Sequence, residues 1–171
     1  MEVKLENYFI FFNKYATKIA LLIYLFGMAF ALILFLILNI DFGEITFNND
    51  IGNIFDIFIH NLKVQMFIFM GALLLGIPTI ILLFINGFSI GMTVAQAIIS
   101  ENLIELLLHI LPHGIFEIPG FLIISILSYQ VLSVFNQEKK LKALFGFFNE
   151  KKYLFLLSFI LTFVAALIEG I

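Results

Sequence analysis

Long uncharged apolar runs, separated by short polar stretches, set the pattern of this chain. Residues 19–40 carry no charge and match one crossing of a bilayer core about 30 Å thick, which takes about 20 apolar residues. Residues 64–100 are also uncharged but too long for one straight helix. The Asn86-Gly87 pair inside them reads as a turn, which predicts helices over 64–85 and 87–100. Residues 118–137, with those before them, predict a fourth span, and 153–168 a shorter fifth. The stretch 102–111 is apolar but carries Glu105 and His109. It is too short to cross and is expected to re-enter the membrane or lie at its interface.

Three further segments place apolar residues at helical spacing beside polar ones. Leu5, Tyr8, Phe9 and Phe12 do so beside Lys4 and Lys14. Ile51, Ile54, Phe55, Phe58 and Ile59 do so beside Asn53, Asp56 and His60, and Leu141, Leu144, Phe145 and Phe148 do so among lysines. Each is expected to lie along a membrane face as a short amphipathic helix.

Composition agrees with this pattern. The 171 residues are 63% apolar and 12% charged, with a mean hydropathy of +1.14, whereas a soluble domain is about 25% charged. The bilayer is therefore the solvent. Outer-membrane strands would alternate apolar and polar positions, and these runs do not. The 19–40 run exceeds the apolar region of a signal peptide and is followed by no small-x-small cleavage site. The absence of cysteine excludes disulfides and thiolate metal sites, and a net charge of −3 excludes a basic nucleic-acid footprint.

Lysine placement gives the orientation. Lys4, Lys14 and Lys18 precede the first span, and Lys139, Lys140, Lys142, Lys151 and Lys152 lie between the fourth and fifth. Only Lys63 follows the first span, in a stretch that carries Asp41, Glu44, Asp50 and Asp56. Cationic loops stay inside, so the N-terminus is cytoplasmic and the C-terminus external. The expected fold is an all-α membrane protein of about five transmembrane helices with short interfacial helices, one domain over residues 1–171. No internal repeat of the transporter kind stands out.

Ionisable residues at membrane depth are costly and are functional candidates by default. Here they are Glu101, Glu105, His109, His113, Glu117 and Glu169. Pro112 suits the first turn of a helix, which places His113 and Glu117 at i and i+4 on one face. Pro119 frees the carbonyl of Ile115 and is expected to kink the helix beside Glu117. A histidine and a carboxylate on one face are two zinc-type ligands. Glu169 falls at the same expected depth as a third, and His109 is a fourth. Zinc suits such a set best among divalent metals, although ligand type alone admits manganese or iron. Two other readings stay open: a metal-free polar pair between His113 and Glu117, and a proton or ion relay through them. Gly87, Gly91 and Ala95 form a stripe of small residues that serves either a homodimer seam or packing inside the bundle. No Ser/His/Asp arrangement, HExxH motif or phosphate-binding glycine loop stands out, so catalysis is not expected.

The segment Leu111-Pro112-His113-Gly114-Ile115-Phe116-Glu117-Ile118-Pro119, preceded by Asn86-Gly87 and Gly91, resembles the stage II sporulation protein M family. The five apolar segments, and a glutamate in the last one after Ala165 and Ala166, are similar too. Gly120 stands where relatives more often have alanine. The resemblance implies a multi-pass protein of the prokaryotic cell membrane and a non-enzymatic scaffold. In spore formers the namesake recruits peptidoglycan-degrading enzymes, and relatives also occur where no spores form. It implies that His113 and Glu117 belong to the functional core. The expected partners are membrane lipid, proteins at the membrane and a second copy of the chain. The competing expectation is a small transporter or channel that uses the same two residues.

Overall fold

In the computed structural model, residues 2–39 and 53–171 are described. They form five helices long and apolar enough to cross a membrane. These are α1 (Glu2–Leu38), α2 (Ile54–Met70), α3 (Ile77–Ile99), α4 (Leu103–Val131) and α5 (Lys140–Glu169). Single 3-10 turns, Gly71–Leu74 and Leu132–Asn136, extend α2 and α4. In lipid every backbone N–H and C=O must find a partner within the segment, so apolar runs become helices whatever their intrinsic propensity.

The same constraint explains where the elements differ from the sequence expectation. The three amphipathic segments do not form separate interfacial helices. They continue without a break into α1, α2 and α5, and Ile51 lies outside the described residues. Residues 102–111 neither re-enter nor lie flat. They begin α4, which runs through both Pro112 and Pro119. Pro112 is therefore in a helix interior and not in a first turn. A proline costs one intrahelical hydrogen bond, whereas breaking the helix in lipid would orphan several backbone groups. Glu101 is not at membrane depth either: it is exposed in the α3–α4 turn, with φ 59°.

The turn between the second and third spans falls at Leu75-Gly76 and not at Asn86-Gly87. Leu75 and Gly76 are both left-handed, with φ of 58° and 80°. The Gly76 amide donates to the Gly71 carbonyl at 2.9 Å, and Pro78 sits in the first turn of α3, where its missing N–H is harmless. The Thr79 hydroxyl, fully buried, donates to the Ile68 carbonyl at 2.7 Å and lies 2.8 Å from the Ser128 hydroxyl, tying this turn to α4. Asn86 makes no turn because its side chain is satisfied inside α3, donating to the Leu82 carbonyl at 2.8 Å.

Two seams build the bundle. The first joins α1 and α3, which run parallel. Ala16, Ala20, Tyr24, Ala31 and Phe35 are buried on α1, and Gly87, Gly91 and Ala95 are buried on α3. A Cβ at Gly87 would strike the Tyr24 carbonyl oxygen, one at Gly91 the Met28 carbonyl oxygen, and one at Gly27 the Phe84 carbonyl oxygen. The backbones approach so closely that only glycine fits. The small-residue stripe is thus occupied within the chain, and a second copy would have to use another face.

The second seam joins α4 to α5 and α2. Over its most apolar window α4 is 56% buried, against 22% for α1, α3 and α5, so it is the central helix. Phe58 meets Phe159 and Phe163 edge-on at 5.1 and 5.4 Å, and Phe69 meets Phe155 at 5.2 Å. These aromatic pairs hold α2 against α5 at two levels.

The first seam yields a paired prediction. Gly91→Ala forces a Cβ onto a backbone carbonyl and should destabilise the protein by about 1–3 kcal/mol, as overpacking does. Nothing lies within 4 Å of a Cβ at the exposed Gly146 of α5, so Gly146→Ala should stabilise by about 0.5–1 kcal/mol through helix propensity alone. Thermal unfolding in detergent or nanodiscs should move in opposite directions for the two variants.

Candidate functional site: a polar cleft between α2, α4 and α5

Between the aromatic pairs, the second seam carries a buried polar knot. Its members are Gln65 of α2, Gly120 of α4, and Ser158 and Thr162 of α5. Gln65 is 3% exposed, Ser158 1% and Thr162 0%. The Gln65 Nε2 donates to the Thr162 hydroxyl, which in turn donates to the Ser158 carbonyl at 3.0 Å. The Ser158 hydroxyl lies 3.0 Å from both the Gln65 Oε1 and the Gly120 carbonyl. Three helices thus meet at one set of hydrogen bonds, in a medium where an unmade bond is expensive. Gly120 makes room for it: a Cβ there would come within 3.0 Å of the Gln65 Nε2 and 3.1 Å of the Thr162 Oγ1. An alanine at this position would therefore press on the knot.

One turn toward the outer ends of the same helices, the seam opens into a cleft of about 570 Å³. It is lined by Asp56, Ile57, His60 and Asn61 of α2, Glu117 of α4 and Glu169 of α5. Asp56, His60 and Glu169 are exposed at the rim, Glu117 is half-buried, and Asn61 is 7% exposed. Antiparallel pairing sets this register. Gly120 sits beside Ser158 and Thr162, so Glu117, one turn outward on α4, faces the last turns of α5. Glu117 lies about 21 Å along the axis from the start of α4, near the level of the last turns of α5. The buried Ala165 and Ala166 leave space beside it.

The residues singled out by sequence are thus divided. Glu117 and Glu169 share the cleft. His113 is half-buried, is not among the lining residues and, among the described residues, forms no ion pair with Glu117. His109 is exposed, and its Nδ1 lies 3.1 Å from the Glu105 carbonyl. Among the described residues, no three His, Asp or Glu side chains gather into a group able to hold a metal ion. Sequence reasoning missed Asn61, Gln65, Ser158 and Thr162. The signal that finds them is spacing: each helix carries two polar residues at i and i+4 on an otherwise apolar face.

The knot can be tested by a double-mutant cycle. Thr162→Val removes the acceptor of the Gln65 Nε2, and Gln65→Leu leaves the Thr162 hydroxyl without its cross-helix partner. The double variant should lose less stability than the sum, with a coupling of about 0.6–1.7 kcal/mol, the range found for polar pairs between membrane helices. Additive losses in reversible unfolding would contradict the geometry.

Comparison with known proteins agrees with this architecture. An uncharacterized protein of Methanocaldococcus jannaschii is 33% identical over 115 residues, 64% of this chain. The match spans about 65% of that relative's length. No solved structure matches. The family described as Stage II sporulation protein M matches residues 39–171, which includes α2 to α5 and the whole cleft, and the chain belongs to this family of multi-pass membrane proteins.

Proposed function

We propose that this protein is a non-enzymatic membrane scaffold that holds partner proteins at the outer cleft between α2, α4 and α5. One observation carries the reading: an outward-opening acidic cleft sits directly on a rigid polar knot. The knot fixes α2, α4 and α5 relative to one another, so the cleft walls are pre-organised, which lowers the ordering cost of binding. Family membership supports a membrane role of this kind. In spore-forming relatives, as the resemblance implies, the partners are enzymes that degrade peptidoglycan, and these act on the face to which this cleft opens.

A second reading, a small transporter or channel, is favoured by the partial burial of Glu117. A carboxylate at the floor of a cleft, with the amide and hydroxyls of Gln65, Ser158 and Thr162 one turn below, is the kind of polar series that lines ion paths.

The two readings separate experimentally. Cross-linking in membranes should join the wild-type chain to a defined set of membrane or cell-wall proteins, and Glu117→Gln/Glu169→Gln at equal abundance should lose that set. An unchanged set would overturn the scaffold reading of the cleft. Purified protein in liposomes should show no cation or proton flux above empty vesicles. Flux that Glu117→Gln abolishes would establish the transporter instead.

A further inference from the structure

The cleft contains a side chain that the fold does not account for. Asn61 is 93% buried (7% exposed), lines the cleft, and forms no hydrogen bond among the described residues. The amide has no partner among the described residues, so its hydrogen-bonding capacity is open to whatever occupies the cleft. The chemistry around it says which kind. Asp56, Glu117 and Glu169 supply three carboxylates, His60 an imidazole and Asn61 a carbonyl oxygen, and no lysine lines the wall. Every charged group offered is an acceptor.

We infer that the cleft binds a protonated amine or guanidinium group, held between the carboxylates of Glu117 and Glu169 with Asn61 accepting one of its N–H bonds. Size and geometry favour an organic cation over a bare ion. A volume of about 570 Å³ falls within the ~300–1,000 Å³ range of small-molecule sites. Among the described residues, no three acidic or histidine side chains form a group able to hold a metal ion. An ammonium or guanidinium group offers three to five donors on a carbon stem and forms the stronger, charge-assisted type of bond with carboxylates. The apolar wall contributed by Ile57 suits the stem. The inference rests on the cleft being the docking point of the scaffold, and it names what a partner must present there. The same cation could be carried by a lysine or arginine side chain of a partner or by a free amine.

The test is calorimetric titration of the full chain in phosphatidylcholine nanodiscs, with empty nanodiscs as blank. The probes are butylammonium, the neutral isostere butanol, and an N-acetylated, amidated peptide carrying one lysine. Butylammonium should bind at one per chain and butanol should not. Asn61→Ala and Glu169→Gln should each weaken it about tenfold, the loss of one charge-assisted bond. Glu169 is exposed at the end of α5, so its variant keeps the fold even if Glu117→Gln does not. Tighter binding of the peptide than of butylammonium would assign the cation to a partner chain, and equal or weaker binding would assign it to a free amine. Either result supports the site. Equal binding of butanol, binding unchanged in both variants, or a zinc or calcium ion that titrates one per chain and displaces the amine would overturn it. Amine binding without any cross-linked partner set would retain the site and refute the scaffold. Loss of the partner set in the variants without amine binding would do the reverse.

Discussion

Lipid tails are as apolar as leucine, so burying one leucine against another gains this protein little over leaving it in the bilayer. Everything else in the structure follows from that constraint. Helix association must come from close backbone contact and from hydrogen bonds that lipid cannot offer. The two seams use one device each. On the α1·α3 seam, Gly87, Gly91 and Gly27 let the helices meet at backbone distance. On the α2·α4·α5 seam, a single amide and two hydroxyls join three helices at one point. The large exposed side chains, such as Phe26, Ile37, Phe67 and Phe145, face outward from both seams and act as solvent matching, not as core.

Much of the fold is legible in the sequence because the bilayer enforces it. Five spans and their order follow from run length. Boundaries were less legible, for a related reason. Asn86-Gly87 has the chemistry of a turn, but a helix in lipid can absorb both residues: the asparagine bonds back to Leu82 and the glycine serves close packing. The actual turn includes Leu75 at φ 58°, a conformation that its residue type does not advertise. Pro112 likewise suggests a helix start, which the low dielectric disfavours inside α4.

The site was legible only in its charges. Glu117 and Glu169 stand out because a carboxylate is costly in a membrane, and the antiparallel pairing of α4 with α5 brings both to one cleft. His109 and His113 stand out for the same reason, yet neither lines the cleft. A shared i, i+4 spacing places two residues on one side of a helix but does not say which neighbour that side meets. Asn61 and Gln65 are invisible to a search for ionisable groups, although the knot and the floor of the cleft depend on them.

Charge distribution closes the physical argument. Eight of the nine lysines precede α2 or follow α4, toward the end of the bundle opposite the cleft, and the charge rule predicts that end to be the inner one. The remaining one, Lys63, is not among the residues that line the cleft. Topology and neutralisation therefore pull in opposite directions: the rule that keeps cations inside leaves the carboxylates of the outer cleft without a counter-charge from their own chain. Water at the rim screens Asp56 and Glu169, which are exposed, but it reaches the half-buried Glu117 less well. Glu117 and Glu169 share that cleft, and the knot holds the helices that carry them in place. A cation from another molecule lowers the energy of that arrangement without moving a helix, so the fold itself favours recognition at this one place.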